Sequence, residues 1–247
     1  SAASGLRRAP WRRGPRGRRL LLLTLAPVAL AGFGVWALYG SSWLRVERVS
    51  VSGNQVLTGD QVRAAARIPV GTPVGSVDGT AAERRLRAAL PRLGDVQVVR
   101  AWPHGIGLKV TERKAELVIG KAGKYVEVDD EGVRFATVPQ QPKGVPLLAM
   151  EVRRSAGLRH FGAARLRREA VAATTALPES VARETRTVRV RSYDSITLEL
   201  TGGRTVLWGS GERGTAKAKS LTALMKAAKG AEHFDVSVPS APASSGS

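Results

Sequence analysis

The sequence predicts an α+β protein in which a single transmembrane helix near the N-terminus precedes two small exported domains. Three observations predict this arrangement. Residues 20–39 form a run of 20 residues without a charge, and a helix of that length spans about 30 Å, the thickness of a bilayer's hydrocarbon core. Beyond this run, short stretches of alternating apolar and polar residues are typical of strands. Capped stretches with apolar residues three or four positions apart indicate helices between those strands.

Composition narrows the classes of protein to consider. With 247 residues and a 43% hydrophobic fraction, the chain has material for one or two domains with packed cores. It contains no Cys, so disulfides are excluded and the composition indicates no particular redox compartment. The net charge of +19 is typical of proteins that bind nucleic acid or an anionic surface. The distribution of that charge decides between these two.

The basic residues are concentrated at the N-terminus, where the first 19 residues contain seven arginines and no acidic residue. Positive charge beside a membrane span marks its cytoplasmic side, so we interpret residues 1–19 as a basic cytoplasmic tail, 20–39 as the span, and the later residues as extracellular. Attraction to anionic lipid headgroups accounts for the arginines, which argues against nucleic acid. A cleavable signal peptide is the alternative, because residues 40–42 are small. The arginines expected to set the topology are Arg12, Arg13, Arg16, Arg18 and Arg19.

Residues 46–113 predict a first domain with the element order β-α-α-β-β. Gly53 and Asn54 supply a turn after the first strand, and Thr58 with Gln61 forms a capping box that begins the first helix. The second helix places apolar residues on one face and arginines on the other. The predicted elements are a strand at 46–51, helices at 58–67 and 80–90, and strands at 96–102 and 106–112.

Residues 114–238 predict a second, mixed β domain with flanking helices. Two or three short strands with glycine-containing turns come first, followed by a helix at 160–177, three antiparallel strands, a helix at 215–229 and a last strand at 234–238. Gly202 and Gly203 predict a tight hairpin between two of the three strands. After residue 238 the composition changes to Pro, Ser, Ala and Gly, so we expect residues 239–247 to form a disordered tail.

The sequence contains no clear candidate for a catalytic residue. His104, His160 and His233 lack the spacing of metal ligands, and the acidic residues at 129–131 fall in a turn, where Asp is suited to local backbone hydrogen bonds. Motifs for a nucleophile or for phosphate binding are absent from the sequence. We therefore expect no catalytic residue, no cofactor and no metal site, and function through binding. A membrane-anchored enzyme is the least favoured alternative.

Three motifs resemble the FtsQ/DivIB family of bacterial cell-division proteins. They are VSGNQVLTGDQV at the start of the first domain, VVRAWPHGIGLKVTERKAELVI at its end, and FDVSVPSAP near the C-terminus. In that family a basic tail and one span precede a POTRA domain and a β domain, and the resemblance extends over residues 16–242. One position departs from the family pattern, because Lys114 stands where the family often has Pro. The richness in Ala, Arg, Gly and Val suits an actinobacterial member.

The resemblance implies a non-enzymatic, single-pass scaffold of the divisome at the septum of the cell membrane, with partners of the FtsB and FtsL type. An open sheet edge binds a partner strand through its backbone. The strand predicted at 234–238 ends before prolines, and residues 234–242 correspond to the family's partner-binding region, although an ordinary internal strand is the alternative. A POTRA-bearing protein of envelope assembly or secretion is the alternative function. The residues expected to bind the partner are Phe234, Asp235, Val236, Ser237, Val238, Pro239 and Ser240.

Overall fold

The structure, a computed structural model, describes residues 25–36, 44–152 and 156–246, and of residues 156–161 only the backbone. Residues 25–36 form helix α1, which is part of the predicted span. Within the described ranges, the structure contains no helix that is both long and apolar enough to cross a membrane. The predicted basic tail lies outside the described residues, and with it the arginines expected to set the topology: Arg12, Arg13, Arg16, Arg18 and Arg19.

Contacts between residues divide the chain into two compact units. The first comprises Ser1–Leu90 and Asp95–Thr111, and the second comprises Pro91–Gly94 and Glu112–Ser247. From residue 48 to 112 the described elements are β1 (Arg48–Ser52), α2 (Gly59–Ala66), α3 (Gly79–Ala89), β2 (Leu93–Ala101) and β3 (Gly105–Glu112). The predicted order β-α-α-β-β is therefore confirmed. The strands form a sheet in the order β1-β3-β2, and β1 runs parallel to β3.

Local capping explains where the two helices of this region begin. Thr58 Oγ1 accepts a 3.2 Å hydrogen bond from the Gln61 N–H, and Gln61 Oε1 accepts one of 2.9 Å from the Thr58 N–H. This is the predicted capping box. At the start of α3, the Asp78 side chain accepts from the Ala81 N–H at 2.9 Å. These bonds satisfy backbone donors that a helix leaves without an internal partner.

The core of the first unit lies between its helices and its sheet. Val62 and Ala66 of α2 and Leu86 of α3 are buried, as are Ile106 and Leu108 of β3. The turn after β1 requires glycine at position 53, where φ is +86° and a Cβ atom would lie 2.1 Å from the carbonyl oxygen of Val110. A side chain there would force the two strands apart.

The second unit is built around one large sheet. Its elements are β4 (Leu117–Lys121), β5 (Lys124–Val128), β6 (Arg134–Val138), β7 (Leu147–Met150), α4 (Ala156–Thr175), α5 (Glu179–Glu184), β8 (Thr185–Ser192), β9 (Ser195–Leu200), β10 (Thr205–Gly209), α6 (Gly214–Ala227), β11 (His233–Asp235) and β12 (Ala243–Ser245). Among the described residues the sheet has nine strands, in the order β12-β11-β10-β9-β8-β7-β4-β5-β6. The pairs β4/β7, β7/β8 and β10/β11 are parallel.

One face of this sheet packs against helices. Trp208 of β10 and Leu198 of β9 are fully buried, in the same core cluster as Leu166 of α4, Leu221 of α6 and Phe234 of β11. Alternation along β9 places Leu198 and its neighbours two positions away in this core, as the period of a strand requires. The predicted mixed β domain with flanking helices therefore has its helices against one face.

The structure differs from the sequence-based expectations at several elements. β7 and α5 were not predicted, and α4 begins earlier than expected, with its helix interrupted at Gly162, where φ is +64°. The last predicted strand, 234–238, is observed only at His233–Asp235. Residues 239–247 were expected to be disordered, whereas the structure has β12 at Ala243–Ser245. The side chains of β12 are small and polar and carry little strand signal, so its pairing depends on the edge that β11 offers.

Candidate partner-binding edge

β11 lies between two other strands near one edge of the large sheet. It runs parallel to β10, where Val206 pairs with Phe234, and antiparallel to β12, where Phe234 pairs with Ser244. The Thr205 N–H also donates to the Glu232 carbonyl oxygen at 2.8 Å. The sequence predicted an open outer edge for this strand, and the structure shows that edge paired with the chain's own residues.

The apolar side chains of this segment point into the core. Phe234 is 3% exposed and Val236 is fully buried, and both belong to the same core cluster as Val206 and Leu221. Their side chains are therefore committed to stabilising the fold. Of the residues expected to bind a partner, these two can contribute only backbone groups to such a contact.

Asp235 ends the strand by accepting hydrogen bonds from the chain that follows it. Its Oδ1 accepts from the Ser237 N–H at 2.9 Å and from the Ser237 hydroxyl at 2.7 Å. The Val236 N–H donates to the Leu207 carbonyl oxygen at 3.0 Å. An Asp that captures the N–H two residues later forms a turn, which explains why the predicted strand stops here. The N–H groups of Val236 and Ser237 are already used within the chain.

The remaining predicted residues lie in the turn that reverses the chain. Ser220 of α6 donates its hydroxyl to the Pro239 carbonyl oxygen at 2.7 Å, and the Ala241 N–H donates to the Val238 carbonyl oxygen at 3.0 Å. The Val238 side chain is 50% exposed, and Ser240 is exposed as well. This turn therefore presents an accessible apolar side chain next to the strand edge.

β12 is the element that covers the outer edge of β11. Its residues pair His233 with Ser245, Phe234 with Ser244 and Asp235 with Ala243. Each of its residues, Ala243–Ser245, is exposed. The strand is thus held by backbone pairing with almost no burial of apolar side chains, the term that contributes most to stabilising a packed element.

On the sheet face opposite the core, β9 to β12 form an open groove of about 360 Å³. Its lining includes Thr197, Leu207, His233 and Asp235. His233 Nδ1 lies 2.8 Å from Thr205 Oγ1, within hydrogen-bond distance. The groove therefore places polar side chains and one partly exposed leucine directly beside the strand edge.

One buried charge lies at the other end of β10, away from this groove. Lys217 of α6 is 1% exposed, and its ammonium donates to the Ser210 carbonyl oxygen at 2.8 Å and lies 5.9 Å from the ring centre of Trp208. Burial lowers the pKa of Lys217, and the nearby Arg213 lowers it further. This lysine joins α6 to the loop after β10. In the described part of the chain, no group of three or more His, Asp and Glu side chains could hold a metal ion.

The structure thus brings the predicted residues together in one strand and its turn, but divides their roles. Two of their side chains are in the core, two N–H groups are used internally, and the outer edge is covered. Sequence reasoning missed β12 altogether. The one available signal was the neighbouring pair Pro239 and Ser240, since Pro and Ser are common in turns.

Comparisons with known proteins match nearly the whole chain. Residues 44–113 match the family described as POTRA domain, FtsQ-type, and residues 117–237 match the family described as Cell division protein FtsQ/DivIB, C-terminal. Cell division protein FtsQ of Streptomyces collinus is 61% identical over 249 residues, which cover 99% of this chain and 94% of that protein. The protein of the same name from Streptomyces coelicolor is 61% identical over 239 residues, covering 95% and 90%. Among solved structures, the major extracytoplasmic domain of the cell-division protein DivIB from Geobacillus stearothermophilus is 14% identical, with a TM-score of 0.34, and the match covers 48% of this chain and 96% of that one.

Proposed function

Because this chain belongs to the FtsQ/DivIB family of bacterial cell-division proteins, we propose that it is a non-enzymatic, single-pass scaffold of the divisome. Its N-terminus lies in the cytoplasm, the two domains at 46–113 and 114–238 lie outside the cell membrane, and the protein is enriched at the division septum. Its partners are divisome membrane proteins of the FtsB and FtsL type.

Charge supports the membrane topology in this proposal. Seven arginines precede the uncharged run at 20–39, and such an asymmetry places the basic end on the cytoplasmic side. A reporter that is active only in the cytoplasm should work when fused to the N-terminus, and one that is active only outside should work at the C-terminus. The reverse pattern would rule out the scaffold with this orientation.

Partner binding at β11 is supported by one observation. The strand that covers its outer edge, β12, is held by backbone pairing and buries almost no apolar side chain. We propose that the partner's strand takes the place of β12 and pairs with the outer edge of β11. β11 remains in place during this exchange, because Phe234 anchors it in the core and β10 pairs with its other side. The partner gains backbone hydrogen bonds, and its side chains reach Val238 and the groove beside Leu207.

This exchange has an energetic basis. β12 consists of three residues with exposed side chains. Its release therefore breaks only a few backbone hydrogen bonds and exposes little apolar surface. A longer partner strand with apolar residues replaces those pairs and adds burial against the groove. The turn at 236–240 is tied to α6 through Ser220 and Pro239, so it stays ordered while β12 leaves.

A covalent lock tests the exchange directly. The chain contains no Cys, so the double variant His233→Cys and Ser245→Cys carries the only thiols, at positions that pair across β11 and β12. Antiparallel partners of this kind lie close enough for a disulfide. When oxidised, this variant should lose binding to the extracellular segment of an FtsB-type protein, and reduction should restore it. The two single-Cys variants serve as controls.

Removal of β12 gives the complementary result. A chain truncated after Pro242 should bind the same segment at least as tightly as the full chain, because nothing then competes for β11. If truncation abolishes binding while the oxidised lock leaves it intact, the partner instead adds to the outer edge of β12. If neither variant changes binding, the interface lies elsewhere on the second unit.

A further inference from the structure

The first unit has a distinctive end, where the chain arrives from the N-terminal apolar run. Val46 is fully buried there, and its N–H donates to the Thr72 carbonyl oxygen at 2.8 Å while its carbonyl oxygen accepts from the Gly71 N–H at 2.8 Å. The next residue, Glu47, donates its N–H to the His104 carbonyl oxygen at 2.8 Å. The incoming chain is therefore held between two loops, residues 69–73 and residues 101–104, which we call the proximal loops.

Both proximal loops expose large apolar side chains. Val70 is 69% exposed and Trp102 is 49% exposed. The segments that flank the two loops are connected, because Arg100, which precedes the second loop, donates to the carbonyl oxygens of Val74 and Val77, which follow the first, at 3.3 and 3.2 Å. An exposed aliphatic and an exposed aromatic side chain thus lie on either side of the same two residues of the incoming chain.

The charge of this end is predominantly positive. Four arginines of the proximal loops and their flanks are exposed: Arg45, Arg48, Arg67 and Arg100. Glu47 contributes a carboxylate, whose oxygen lies 4.0 Å from His104 Nδ1. Between β1 and the tip of the β2–β3 hairpin there is an open cavity of about 300 Å³, lined in part by Arg48 and Trp102. This combination of exposed apolar groups and guanidinium groups is suited to binding a surface that is both apolar and anionic.

Chain length restricts what this end can face. Six residues separate Tyr39, the last residue of the predicted span, from Val46, so the chain advances by seven residues between the two. Even fully extended, that many residues reach only about 25 Å. If the run spans the bilayer, as proposed above, the proximal loops must lie close to the headgroups at the outer surface.

We propose that the proximal loops dock on the outer surface of the lipid bilayer. Trp102 and Val70 enter the interfacial layer, where Trp is enriched in membrane proteins, and the exposed arginines contact lipid phosphates. Docking fixes the orientation of the first unit on the membrane. The proposal rests on the proposed membrane attachment. Lipid is the expected ligand because the apolar and the positive groups both surround the point where the chain leaves the apolar run.

The lack of Cys provides a clean experiment on the full chain. Val70→Cys and Trp102→Cys each carry a fluorophore sensitive to polarity, and Val56→Cys is the matched control. Val56 is 66% exposed, of the same residue type as Val70, and follows β1 at its other end. Each labelled chain is reconstituted into vesicles of phosphatidylcholine and phosphatidylglycerol, its incorporation is checked by flotation, and its folding by thermal melting.

Spin-labelled lipid in the vesicles gives the readout. Fluorescence at positions 70 and 102 should shift to shorter wavelength and be lost to the lipid quencher, whereas fluorescence at position 56 should be unaffected. Position 70 keeps the test valid if the Trp102 variant fails to fold. Replacing Arg48 and Arg67 by Gln should reduce the quenching at position 70 on phosphatidylglycerol vesicles.

Three results would overturn the docking proposal, each in a different way. Equal fluorescence at all three positions, in chains that float with the vesicles, rejects docking and leaves membrane attachment intact. Chains that do not float reject the attachment and the docking together. Shielding of positions 70 and 102 from aqueous iodide without quenching by lipid would mean that protein, from the same chain or from a second copy, covers this end instead of the bilayer.

Discussion

Arg92 donates a 2.6 Å hydrogen bond to the carboxylate of Glu127, and the two side chains are only 17% and 8% exposed. The guanidinium of Arg92 also lies 5.2 Å from the ring centre of Phe135. Nearby in sequence, Arg113 pairs with Asp129, whose Oδ1 accepts from the N–H groups of the turn that follows it. The second unit therefore contains largely buried cation–carboxylate pairs. The sequence does not reveal the pair of Arg92 and Glu127, because 35 positions separate the two residues.

Glu127→Ala should destabilise the second unit by about 3 kcal/mol, because it leaves the Arg92 guanidinium largely buried without its carboxylate. Chemical denaturation of the full chain measures this loss. Glu179→Ala is the matched control in the same unit, since Glu179 and Arg183 are 85% and 72% exposed and such pairs contribute at most about 1 kcal/mol. Similar losses of stability in the two variants would mean that the Arg92 guanidinium becomes hydrated when Glu127 is removed.

Lys217 should make the second unit more stable as the pH rises towards the ordinary pKa of lysine. Its pKa is lowered in the folded chain, chiefly by burial, so between the folded and unfolded pKa values the unfolded chain binds more protons. The free energy of unfolding therefore increases with pH across that interval. Lys217→Met removes this contribution, so the free energy of unfolding of the variant, relative to that of the natural chain, should fall as the pH rises. Lys219→Met, on the exposed side of the same helix, controls for the loss of one positive charge. Parallel pH profiles for the natural chain and Lys217→Met would contradict the prediction.

Leu86→Ala should cost about 2 to 5 kcal/mol, because Leu86 is fully buried in the first unit and the substitution leaves a cavity. Thermal melting monitored on the first unit measures this effect. Leu90, one helical turn later, is only partly buried. Leu90→Ala should therefore destabilise the unit by less, and an equal loss would show that the two sites are equally enclosed.

Phe234→Ala and Val238→Asp should separate folding from partner binding. Phe234 lies in the core, so its truncation should cost about 3 to 5 kcal/mol. Val238 is half exposed in the turn, and a surface substitution there should change stability by no more than about 0.5 kcal/mol. Only Val238→Asp is expected to weaken binding of the partner's extracellular segment while the melting temperature is unchanged. Full binding by Val238→Asp would exclude the turn from the interface.

Features that depend on a few neighbouring residues could be predicted from the sequence. The Thr58 and Gln61 capping box is confirmed because both of its hydrogen bonds join residues three positions apart. Gly202 and Gly203 have φ angles of +73° and +78°, as the predicted tight turn between β9 and β10 requires. Motifs of this local kind also indicated the FtsQ/DivIB family, which the similarity to the Streptomyces proteins confirms.

Pairing between distant segments required the tertiary structure. β7 is only four residues long and pairs in parallel with β8 across the intervening helices, so no local turn indicates it. β12 consists of Ala and Ser residues without an apolar alternation, and it forms because the neighbouring edge of β11 has unpaired backbone groups to satisfy. The sequence by itself thus determined the helix caps, the turns, the alternation of the strands and the family. Which edge of the sheet is covered, and by which residues, was decided only in three dimensions. The backbone N–H and C=O groups that pair the strands are the same in every residue except proline, so the side chains do not specify which edge they cover.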